Sequence, residues 1–183
     1  GGRAIAEAIF GHFNPSGRLT ISIPYHVGQQ PIYYSQVRGQ HGDRYADLTQ
    51  EPHFAFGFGL SYTSFVHRDL KLLFGETFSA DDTVVFEITV ENTGPRPGRE
   101  TIQVYLSDLV TSATWVDKEL KAYQQVDLDP GERKTVQMSL PVSECSFVNA
   151  AAERVVEPGE FELRVGPSSR EADLLKVRFR VIL

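Results

Sequence analysis

Cysteine, methionine and tryptophan each occur once in the 183 residues. With Cys145 alone, no internal disulfide can form. It lies in the apolar setting Leu140-Pro141-Val142-Ser143-Glu144-Cys145-Ser146-Phe147 and reads as a buried, inert thiol. A catalytic cysteine needs a nearby histidine and electropositive surroundings, and its sequence neighbours supply neither. The lone thiol favours a cytoplasmic setting over a secreted one. No apolar run approaches the roughly 20 residues of a membrane-spanning helix. Basic residues are outnumbered 18 to 24, for a net charge of −6. An acidic chain without a basic stripe is a poor binder of nucleic acid or anionic membranes; it suits a neutral partner such as a sugar. There is no initiator methionine and no leader: the chain opens Gly1-Gly2-Arg3, which reads as the interior of a longer polypeptide. Internal repeats and low-complexity tracts are missing as well.

What is present falls into three stretches. In residues 1–24, Ile5, Ala8 and Ile9 share a face at helical spacing, and Gly11 stops the helix. Asn14-Pro15-Ser16-Gly17 is turn chemistry. Leu19, Ile21 and Ile23 alternate with Thr20 and Ser22, which predicts a strand ended by Pro24. Residues 25–64 have no clear period but are rich in aromatics: Tyr33, Tyr34, Tyr45, Phe54, Phe56, Phe58 and Tyr62. That composition predicts a long connector pinned to a neighbouring surface. In residues 65–183, short alternating runs are divided by turns. Val84, Phe86, Ile88 and Val90 form one run; Ile102, Val104 and Leu106 form another. Asp129-Pro130-Gly131-Glu132 precedes Val136, Met138 and Leu140; Glu157-Pro158-Gly159-Glu160 precedes Phe161, Leu163 and Val165. Leu175, Val177, Phe179 and Val181 close the series. Sheets buried on one face are the outcome, hence an antiparallel β-sandwich, and about 120 residues are enough for it.

Chemistry-bearing constellations are sparse. Asp81, Asp82, Asp127 and Asp129 flank strands and read as solvated turn residues. The five histidines (12, 26, 41, 53, 67) have no i, i+4 partner and no cysteine beside them, which argues against a zinc site. No cofactor is expected. Gly57-x-Gly59 lacks the third glycine and the following helix of a nucleotide loop. Trp115 lies where the alternation breaks, between Ser107 and Asp117. Burial in the sandwich is one reading of it and sugar stacking the other.

The motifs in order carry a resemblance. Gly11 to Leu19, with Asn14-Pro15-Ser16-Gly17-Arg18-Leu19, resembles a segment of the family 3 glycoside hydrolases. So do Pro24 to Tyr34 and the run Phe56-Gly57-Phe58-Gly59-Leu60-Ser61-Tyr62-Thr63-Ser64-Phe65. Asn92-Thr93-Gly94 with Gly98-Arg99-Glu100 is similar to a turn of that family's last domain, which is fibronectin type III-like. Glu157 to Phe161 and Val165 to Ser169 resemble its final hairpin. Lys118 to Tyr123 stands where Lys-x-Leu-Lys-Gly-Phe is common, so Ala122 and Tyr123 depart from the pattern.

The resemblance implies a mainly β chain: a fibronectin type III-like, immunoglobulin-like antiparallel sandwich at 65–183. Before it come the terminal helix–strand unit of an α/β-sandwich domain at 1–24 and a connector at 25–64. It also implies that the parent is a β-glucosidase-type enzyme hydrolysing terminal β-linked glucosyl residues with retention. Such chemistry needs two carboxyls about 5–5.5 Å apart. In the family both lie upstream of the matched part, so no catalytic residue is carried over and this segment alone is expected to be inactive. The implied partners are the upstream catalytic domains and a β-glucoside. Within the connector, His41, Asp43, Arg44 and Tyr45 form the most polar cluster and, with Trp115, are the candidates for sugar contact near a substrate entrance. A rival reading is a carbohydrate-binding or adhesive module, which would present Trp115, Tyr105 and Tyr123 as an exposed row. Free sheet edges would support a third, a homo-oligomerisation domain.

Overall fold

The computed structural model describes residues 1–37 and 49–182. Among the described residues, ten strands follow one α-helix. The helix, α1 (Gly2–Ile9), buries no residue within the chain. The strands are β1 (Phe65–Leu73), β2 (Thr77–Ser79), β3 (Thr83–Asn92), β4 (Gly98–Asp108), β5 (Glu119–Leu128), β6 (Arg133–Pro141), β7 (Phe147–Val148), β8 (Arg154–Val155), β9 (Gly159–Gly166) and β10 (Leu175–Ile182). One sheet has the order β1-β3-β6, the other β2-β10-β9-β4-β5, and β7 and β8 form a small hairpin.

The alternation seen in the sequence is the reason the two sheets close on each other. Val84, Phe86, Ile88 and Val90 face inward from β3; Val136, Met138 and Leu140 from β6. Opposite them stand Ile102, Val104 and Leu106 of β4, Phe161, Leu163 and Val165 of β9, and Phe179 and Val181 of β10. Each fully buried side chain of this kind contributes about 1.5–3 kcal/mol, so the core holds the sandwich. Cys145 is buried against it, and burial pushes its thiol up to about 12. The Asp129–Glu132 turn forms as its residues suggest: the Glu132 side chain accepts the Asp129 N–H at 2.8 Å, and Gly131 takes φ +76°.

The mainly antiparallel sandwich is as expected: among the described residues only β2, at the sheet edge, pairs in parallel, with β10. One expectation is corrected. The strand expected at Leu19 to Ile23 is not one. That stretch is extended, with Leu19 bonded to Gly57 and Phe58, and Ile23 to Phe54, but only Ile23 and Phe54 form a ladder bridge. Its apolar side chains have no second layer within the chain, and Ile21 stays exposed, so periodicity alone does not complete a sheet.

Candidate functional site

The feature most worth a functional reading is the contact between residues 1–62 and the sandwich. Strand β4 presents two faces. Its inner face is the core row; its outer face carries Gln103 and Tyr105, both buried because the connector lies over them. Gln103 Nε2 donates to the carbonyls of Gly57 at 3.0 Å and Pro167 at 2.5 Å, and its Oε1 accepts the Tyr105 hydroxyl at 2.6 Å. Tyr34 stacks on Phe56 at 4.2 Å and meets Tyr105 edge-on at 5.8 Å. The Phe56 carbonyl accepts Ser169 N–H. An outer sheet face is thus dried by aromatics and sealed by satisfied amides.

A second anchor forms at Asn14. Its Nδ2 donates to the Pro97 carbonyl at 2.9 Å, while its Oδ1 accepts Ser61 Oγ at 2.7 Å and Tyr62 N–H at 2.8 Å. Tyr62 reaches back with its hydroxyl to the Ala8 carbonyl at the end of α1, and Arg96 lies over its ring at 5.3 Å. A third anchor joins Arg18 to the carboxyl of Glu100 of β4. Within the connector, Gln29 is buried and bonds both ways, accepting Tyr25 N–H and donating to the Thr49 and Glu51 carbonyls.

Farther along, Arg164 of β9 holds Glu162, Asp117 and Glu171 at 2.9–3.1 Å. Lys118 shares Asp117 and Glu171. Burial would push Glu171 up, but Lys176, Arg164 and Lys118 outweigh it and hold its carboxyl low. Beside this group a cleft of about 450 Å³ is lined by Tyr25, Tyr33, Tyr34, His53, Lys118 and Glu171, among others. Held low in this way, the Glu171 carboxyl stays ionised and is not poised as a general acid. No group of three or more metal-ligating side chains converges among the described residues.

Comparison with known proteins fits this geometry. Residues 1–62 match the profile of the glycosyl hydrolase family 3 C-terminal domain, and residues 100–169 that of the fibronectin type III-like domain. The chain is 39% identical to a periplasmic β-glucosidase of Salmonella typhimurium over 92% of its length, and 40% identical to a β-xylosidase of Formosa agariphila over 98%. The chain belongs to glycoside hydrolase family 3, in its C-terminal region. It spans about a quarter of the length of these curated relatives. Among solved structures, a β-glucosidase involved in saponin metabolism from intestinal bacteria superposes with a TM-score of 0.94 at 56% identity. That match covers 100% of this chain and 24% of the other. A Listeria innocua β-glucosidase in complex with glucose gives 0.89 at 35%, covering 98% and 26%.

For a family 3 C-terminal region, the sequence-derived site residues divide as follows. His41, Asp43, Arg44 and Tyr45 lie outside the described residues. Trp115 is half-buried, its ring 5.8 Å from Phe147 and its Nε1 donating to Glu119 at 3.3 Å. Tyr105 is corrected: it is wholly buried beneath the connector and cannot belong to an exposed row. Tyr123 is 67% exposed on edge strand β5. Sequence reasoning did not single out Gln103, Asn92 or Glu100 as anchors. Gln103 carried a signal, a polar residue between Ile102 and Val104 that a solvated strand face explains equally well.

Proposed function

We propose that this region serves as the non-catalytic, stabilising end of a retaining β-glucosidase-type hydrolase. The supporting observation is the set of polar anchors, Gln103, Asn14 and Arg18–Glu100, that fasten the α/β-domain residues to the sandwich. Ile5, Ile9, Phe10, Phe13 and Ile21 stand exposed on the N-terminal segment and would pack against the upstream domains. A β-glucoside is the proposed substrate class of the parent, in keeping with the relatives named glucosidases. Among the described residues the carboxylates gathered at Arg164 are each engaged by a cation, which supports the reading that the segment is inactive alone. Removing residues 65–183 from the parent is expected to lower its melting temperature by about 10 °C and abolish most β-glucoside turnover. Unchanged melting and turnover would sink the stabilising role.

Direct sugar contact by Trp115 is the weaker reading, since its ring and its N–H are already engaged. Because it is the only tryptophan, its fluorescence reports on it alone. Titration with β-glucan oligosaccharides is expected to give no saturable change; a saturable change would favour the carbohydrate-binding module instead.

A further inference from the structure

At one end of the core the inner row of β4 finishes in a charge. Glu100 continues the line of Ile102, Val104 and Leu106 and is 1% exposed. From the facing sheet, His67 of β1 brings Nε2 to within 3.6 Å of Glu100 Oε1, its side chain 5% exposed. Arg18 closes the end from the N-terminal segment, pairing with the other carboxyl oxygen; its side chain is 15% exposed. Three atoms here are buried without a hydrogen-bond partner: Arg18 Nε, His67 Nε2 and Glu100 Oε1. Buried polar atoms are rarely left so. The residues opposite His67 and Glu100 on β3 and β5 are Val90 and Val126. The nearby Arg99 and Asp127 pair with each other at the surface. Glu100 and His67 therefore face Arg18 and one another.

We propose that Glu100 and His67 are a proton-exchanging pair that keeps the stability of this buried end of the core indifferent to mild acid. Burial, opposed by Arg18, pushes the Glu100 carboxyl up from 4.5 to about 7. Burial, aided by Arg18, pulls the His67 imidazole down from 6.5 to about 4. Taken alone, Glu100 contributes stability that is full below 4.5 and is lost as pH rises through about 7. His67 alone does the reverse: its contribution is full above 6.5 and is lost as pH falls through about 4. Between 4.5 and 6.5 the pair holds one proton in either state. It sits on Glu100 when the chain is folded and on His67 when it is unfolded, so the two slopes cancel.

Single substitutions uncover the slopes. In the full chain, His67→Gln is expected to become less stable than the wild type as pH rises from 4.5 to 6.5. Glu100→Gln is expected to become less stable as pH falls over the same range. Each change in the folding equilibrium relative to wild type is on the order of 50-fold, with opposite sign. Denaturant titrations at several pH values read this directly. Profiles parallel to the wild type in both variants would overturn the proposal. Should either variant fail to fold, the His67 ring proton resonance of the wild-type chain decides. It is expected to stay that of a neutral imidazole down to about pH 4; titration near 6.5 would overturn the exchange.

Discussion

Asn92→Ala is expected to lower the unfolding free energy of the chain by about 3–4 kcal/mol, measured by denaturant titration at neutral pH. Asn92 ends β3, is fully buried and uses its whole hydrogen-bonding capacity. Its Oδ1 accepts from Thr63 Oγ1 at 2.6 Å and Gly94 N–H at 3.1 Å. Its Nδ2 donates to the carbonyls of Arg96 at 2.7 Å and Leu128 at 3.0 Å. One amide thus ties together the end of the connector, the β3–β4 turn and the end of β5. Alanine leaves two carbonyls, an amide and a hydroxyl without this partner. Each such orphan costs about 1–3 kcal/mol, and local relaxation keeps the total below their sum. Asn92→Asp tests polarity against volume. It keeps the shape and sets a carboxylate oxygen against two carbonyls, so it is expected to be at least as destabilising. A loss under about 1 kcal/mol in the alanine variant would show that solvent replaces the amide at little cost.

Gly57→Ala is expected to undock the connector while leaving the core folded. Gly57 has φ +81°, a conformation that costs a side-chain-bearing residue about 1–2 kcal/mol. The added Cβ would also collide with the end of the Gln103 side chain. To escape, Gln103 must give up the Gly57 and Pro167 carbonyls, and Tyr105 loses its acceptor. A combined loss of about 3 kcal/mol corresponds to amide exchange faster by roughly 100-fold. The sensitive probe is the Ser169 amide, which bonds to the Phe56 carbonyl. Amides of β3 and β6 should hardly change. Adding Gln103→Ala separates the two causes: the collision disappears and the backbone strain stays. The double variant should then cost less than the two single effects added together. Unchanged Ser169 protection in Gly57→Ala would mean that Gln103 does not hold the connector.

The sandwich was legible because one face of each long strand is apolar. Runs such as Val84–Val90 and Phe161–Val165 have no other way to bury themselves. Strand β5 was harder to read, since only Leu128 in Glu119–Leu128 is fully buried and its pattern blurs at a sheet edge. The parallel pairing of β2 rests on three residues, too few for a period. Leu19 to Ile23 shows the converse failure, alternation without a sheet to join. The anchors were illegible for a different reason. Asn14, Gln103 and Glu100 act on partners 46 to 83 positions away, and only the fold brings those partners near. Their motif positions marked Asn14 and Glu100 as belonging to a family segment, not as load carriers between segments.

The buried outer face of β4 changes where this molecule can be divided. By strand pattern the sandwich begins at Phe65, and a cut there looks clean. It would strip Tyr105 and Gln103 of Tyr34, Phe56 and Gly57, and Glu100 of Arg18. A sheet surface built to be dry would then meet water, with an amide and a carboxylate deprived of their partners. The strands and the strap that precedes them therefore pack as one unit, which no cut at Phe65 respects. Gene fusions, truncations or swaps that keep the strands and discard the strap would transplant a lid-less box.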